Sequence, residues 1–137
     1  MRTRLEDIPN PDLPETTVWK VKALVIDGKS PAFEALKKWA KEEPRDYKKI
    51  KKAIEYAAQV KRTKNEKKVK KSKNPSHDQV YEFRADKLHA RLMFFYDEVD
   101  GNLIICTNDY WKNKGDQSAA FTACAALKKL YERERGR

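Results

Sequence analysis

Apolar positions along the chain change period several times, and each change marks an element. Residues 17–27, TVWKVKALVID, alternate Trp19, Val21, Ala23 and Val25 against Lys20 and Lys22 before Asp27-Gly28. That is the period of two of a strand ending in a turn. Ser30-Pro31 then opens a helix, a side-chain cap followed by proline at the first helical position. Phe33, Leu36, Trp39 and Ala40 share one face, and Pro44 stops the run. A second helix is expected over 45–62, with Tyr47, Ile50, Ile54, Ala57 and Ala58 inward and Lys48, Lys49, Lys51 and Lys52 mostly outward. Two helices joined at a proline form an αα-hairpin. Strands follow at 78–86, 91–99 and 102–111, the last two joined at the hairpin signal Asp100-Gly101. An Ala-rich helix over 116–136 closes the chain, with Ala120, Phe121, Cys124, Leu127 and Tyr131 inward.

The pattern predicts an α+β domain over 16–137 in the order β-α-α-β-β-β-α. Residues 1–15, with Pro9, Pro11 and Pro14, are expected to form an extended N-terminal arm. Fourteen aromatic residues, three Trp, six Tyr and five Phe, supply a core in a chain whose charged fraction is 38%. Trp19, Trp39, Phe94 and Phe95 are read as core, and Cys106 and Cys124 as buried thiols. No apolar run reaches the ~20 residues that span a bilayer. The opening MRTRLEDIPNPDLPE has no apolar h-region, so a cytoplasmic protein is expected rather than a secreted one.

Charge then adds a partner to this picture. The formal net charge is +10. Residues 61–73 hold eight basic side chains and one acid, whereas residues 74–137 hold ten of each. The basic run comprises Lys61, Arg62, Lys64, Lys67, Lys68, Lys70, Lys71 and Lys73. It reads as a contact for RNA or, blandly, as a solvated loop. Four scattered glycines exclude a phosphate-cradling loop, and two histidines twelve residues apart do not make a zinc site. No cofactor and no metal is expected.

Three motifs in order carry a family likeness: Glu82-Phe83-Arg84, then Arg91-Leu92-Met93-Phe94-Phe95-Tyr96, then Tyr110-Trp111-Lys112-Asn113-Lys114 before the Ala-rich helix. With Val69-Lys70-Lys71 ahead of them, they resemble the RelE/HigB-type toxins of bacterial toxin–antitoxin modules, in their phage-derived branch. The resemblance covers roughly 70 residues. It implies a small, mainly antiparallel four-stranded sheet packed against helices. It also implies a type II toxin acting as a ribosome-dependent mRNA endoribonuclease, with mRNA, the ribosome and a cognate antitoxin as partners. Metal-free cleavage requires deprotonation of a 2′-OH, stabilisation of the phosphorane charge and protonation of the leaving 5′-oxygen.

The resemblance puts Arg84, Arg91, Lys112 and Lys114 around the scissile phosphate, where their donors can hold phosphate oxygens. Tyr110 or Tyr81 would stack a base or supply a proton. Several relatives carry a histidine just before the aromatic of the last strand; here Thr107-Asn108-Asp109-Tyr110 stands in its place. Asp109, or His89 reaching over, is left as the candidate base. On the residues alone, Arg84 and Arg91 read first as an ordinary exposed strand face or as ion-pair partners of Glu82 or Asp97, and the two lysines are also readable as mere neighbours of a helix start. Two other functions fit the same likeness: a non-catalytic RNA- or ribosome-binding module, and a ParE-like toxin directed at DNA gyrase.

Overall fold

A computed structural model describes residues 2–8, 17–61, 65, 67–77 and 79–137. Among them are six strands: β1 Thr3–Asp7, β2 Lys20–Ile26, β3 Val69–Lys71, β4 Tyr81–Arg84, β5 Ala90–Asp97 and β6 Leu103–Trp111. The α-helices are α1 Pro31–Glu42, α2 Pro44–Gln59 and α3 Gln117–Glu134. One sheet orders the strands β1-β2-β6-β5-β4-β3. Neighbours are antiparallel except β2 and β6, which run parallel.

The α+β class therefore holds, but the small four-stranded antiparallel sheet expected above does not. Two strands escaped the pattern because both are edges. Thr3–Asp7, within the expected N-terminal arm, hydrogen-bonds along β2 with only Leu5 and one half-buried face behind it. Val69–Lys71 pairs with β4 through backbone groups although two of its three side chains are lysines. Backbone pairing satisfies an edge strand whatever its side chains, so hydrophobic alternation cannot reveal it. The parallel pair arises from the path of the chain. The α1–α2 hairpin carries it from β2 to the far edge, and the β3–β6 meander returns it beside β2.

Local chemistry sets the helices as the sequence predicts. Ser30 is extended and its Oγ accepts from the Phe33 N–H at 3.2 Å, with Pro31 at the first helical position. Pro44 begins α2 as well as ending α1. Asp116 caps α3 through the Ser118 and Ala119 N–H groups.

The sheet has a core on each face. Trp39, Ile50 and Ile54 from α1 and α2 pack on Phe83, Leu92 and Phe94. Phe121, Cys124 and Tyr131 from α3 pack on Leu24, Met93, Phe95 and Ile105. β5 is thus covered on both sides, which is why it reads as an unbroken apolar run after Arg91. Burial pushes the Cys124 thiol up to about 12 and the Cys106 thiol higher still, so both are protonated. No helix among the described residues is long and apolar enough to cross a membrane.

The Tyr131 hydroxyl donates to Asp97 Oδ2 at 2.6 Å, and Arg137 lies 3.1 Å from Asp97 Oδ1. Burial, then the Asp97 carboxylate, push the Tyr131 phenol from 10.0 up to about 12. A raised folded-state value favours the fold below the unfolded value and loses that contribution as the phenol ionises. The protein should therefore lose stability between about pH 10 and 12 relative to Tyr131→Phe, in paired urea titrations. Parallel pH profiles for the two would refute the coupling.

Candidate nucleic-acid interface

The three motifs become three adjacent strands, β4, β5 and β6. Register places Arg84 opposite Arg91 and Arg91 opposite Tyr110, so all three share the sheet face that α3 covers. Two guanidiniums facing each other would repel; Glu82, two residues along β4, sits among them with no exposed surface. Glu82 Oε2 lies 3.4 Å from Arg84 Nε and 3.5 Å from Arg91 Nε. Its other oxygen accepts from the Tyr110 hydroxyl at 3.0 Å and from Gln117 Nε2 at 2.9 Å. This gathers Arg84, Arg91 and Tyr110 but also occupies them.

Arg91 is 1% exposed. One of its terminal nitrogens donates to the Leu88 and Ala90 carbonyls at 3.1 and 2.9 Å, and the other reaches the Asp86 carbonyl at 3.5 Å. Desolvation, then Arg84, lower its pKa, with Glu82 and Tyr110 opposing. Arginine begins so high that it stays charged. Arg91 therefore clamps the β4–β5 turn from inside. Burial, then the Glu82 charge and hydrogen bond, push the Tyr110 phenol far up. Tyr110 can donate a hydrogen bond but cannot act as a base near neutral pH.

Lys112 and Lys114 are exposed in the turn beyond β6. The turn is held by Lys112 N–H to the His89 carbonyl at 2.8 Å and Lys114 N–H to the Trp111 carbonyl at 3.0 Å. Gly115 lets it lie on Tyr110, since a Cβ there would stand 3.2 Å from the Tyr110 Cβ. Asp109 registers with Leu92 and so faces the α1–α2 side, away from Arg91 and Tyr110. Its residue surface is open, yet crowding around the carboxyl raises its pKa, with Lys38 drawing it down. His89 stacks on Trp111 with ring centres 5.2 Å apart and planes 13° apart.

The basic run is divided by β3. Lys70 registers with Glu82 on the α3 face, while Lys71 registers with Tyr81 on the other, its ammonium 6.0 Å from that ring. Lys70, Lys73 and Gln117 border a recess of about 220 Å³ whose wall includes His77. The buried His77 ring bridges Ser72 Oγ at 2.6 Å and Thr122 Oγ1 at 2.9 Å. Lys67 and Lys68 lie instead near Lys49 and Arg84. Lys61 is exposed at the end of α2; Arg62 and Lys64 lie outside the described residues. The half-buried Tyr81 ring stacks on Phe94 at 5.3 Å and meets Tyr96 edge-on.

Sequence reasoning did not assign Gln117 or the α2 cations Arg45, Lys48 and Lys49 to the interface. The signal for the last two was present, since the helix period turns them outward beside the basic run. No family model matches this sequence, and neither the curated proteins nor the solved structures give a significant match.

Proposed function

We propose that the chain is an RNA-directed toxin of the RelE/HigB kind, an endoribonuclease acting on mRNA in the ribosome and held in check by an antitoxin in the cytoplasm. One observation carries the reading. The ordered motifs EFR, RLMFFY and YWKNK lie on neighbouring strands and collect Arg84, Arg91 and Tyr110 around Glu82, with Lys112 and Lys114 exposed just beyond. In the reaction, the 2′-oxygen loses its proton and attacks phosphorus, and the bond to the 5′-oxygen breaks as that oxygen gains a proton. Lys112 and Lys114 would carry the added phosphorane charge, with Arg84 at the margin. Arg91 and Glu82 position the turn and the Tyr110 donor.

The burial of Arg91 and the opposite-face position of Asp109 favour a second reading, an RNA- or ribosome-binding module without cleavage. Incubating mRNA with the purified chain, with and without translating ribosomes, and mapping new 5′ ends separates the two. Breaks that appear only with ribosomes support the toxin reading. Intact mRNA in both reactions, with the chain bound to RNA, leaves the binding module.

A further inference from the structure

We infer that single-stranded RNA lies along a trough between the first turns of α2 and the β4–β5 turn, ending on the His89–Trp111 ring pair; this rests on the RNA reading above and specifies its binding path. Three depressions of about 370, 390 and 210 Å³ adjoin there. The first two share Arg45 and Leu88, and the second and third share Lys49 and Asp86, so the three lie side by side in a row.

Its lining holds seven cations against three carboxylates. One of the three carboxylates, Asp46, is buried and accepts the His89 and Ala90 N–H groups at 2.7 and 2.8 Å, so it anchors the β4–β5 turn. Arg45, Lys48 and Lys49 come from α2, Lys67 and Lys68 from the basic run, and Lys87 from the β4–β5 turn. Cations far apart in sequence thus converge on one line, the arrangement that tracks a phosphate backbone.

The ring-lined end distinguishes the ligand. His89 and Trp111 are half-buried and nearly parallel. Asp46 holds the backbone on which His89 sits, and Arg91 clamps the same turn from the opposite face of the sheet. An unpaired base extends such a stack, typically worth ~1–3 kcal/mol per base, whereas a duplex keeps its bases inside. A polyanion without rings, such as polyglutamate, would satisfy the cations but has nothing to stack there.

The test uses the full chain, a labelled single-stranded RNA oligonucleotide and no ribosomes. Trp19 and Trp39 are 3% exposed, so quenching of tryptophan fluorescence by the oligonucleotide would report Trp111. Binding should weaken with salt along a slope of roughly −3 to −4, as for about five phosphates on a single strand. Lys48→Glu/Lys49→Glu should weaken binding tenfold or more and flatten the slope by about 1.4. Trp111→Phe should abolish the quench. Lys29→Glu/Lys129→Glu, two exposed lysines outside the trough, should do neither, and Lys70→Glu/Lys73→Glu tests the other recess. Failure of the parent to bind RNA would refute the RNA reading itself. Binding weakened by the Lys70/Lys73 reversals and indifferent to those at Lys48/Lys49 would overturn the trough while leaving that reading intact. Polyglutamate binding as tightly as RNA, with the same quench, would overturn the assignment to RNA.

Discussion

Arg91→Ala is expected to cost about 3–5 kcal/mol of folding stability, the usual consequence of removing one partner of a buried ion pair. The substitution leaves Glu82, which has no exposed surface, with Arg84 as its remaining cation and with the Tyr110 and Gln117 donors. It also removes the donors that reach the Asp86, Leu88 and Ala90 carbonyls, so the turn carrying His89 loses its internal clamp. A loss of this size should lower the thermal midpoint by ~10 °C or more in a chain of 137 residues. Arg91→Met combined with Glu82→Gln removes both charges and keeps the volume. That pair should recover most of the loss, because replacing a whole buried pair is far milder than orphaning one half. Urea denaturation of the parent and the two variants measures it, and a shift below ~1 kcal/mol for Arg91→Ala would contradict the clamp. Lost activity in Arg91→Ala alone would thus say nothing about contact with substrate.

Lys112→Ala should have the opposite signature, with cleavage slowed roughly 10²–10³-fold and stability unchanged. That is the order of effect of removing one preorganised stabiliser of transition-state charge. Lys112 is exposed, and only its backbone N–H holds the turn, so truncation of the side chain leaves the fold intact. Lys112→Arg keeps the charge and should restore part of the rate, while Lys114→Ala tests the second lysine of the same turn. Single-turnover rates on ribosome-held mRNA, beside thermal unfolding curves, make the comparison. An unaltered rate for Lys112→Ala with Lys114→Ala would remove these lysines from the chemistry.

The difference between these two residues explains what could be read from the chain. Arg91 and Lys112 were equivalent cations in sequence, both within matched motifs that also carry aromatic residues. Burial separated them: one faces a carboxylate inside the sheet, the other faces water. The same holds for Asp109, one residue before Tyr110 and therefore on the opposite face, where β6 meets Leu92.

Local rules settled much else. Ser30-Pro31 starts α1, and the helical period identifies Ile50, Ile54, Phe121 and Cys124 as inward. These depend on neighbours within a turn or two of helix, so the sequence alone determined them, along with the basic run and its acid-poor composition. Tertiary structure alone decided that Thr3–Asp7 and Val69–Lys71 are strands and that β2 runs parallel to β6. It alone split Lys70 from Lys71 and brought Lys49 beside Lys68. Strand pairing is made by backbone groups distant in sequence, and side-chain periodicity encodes which face is buried but not which partner lies alongside.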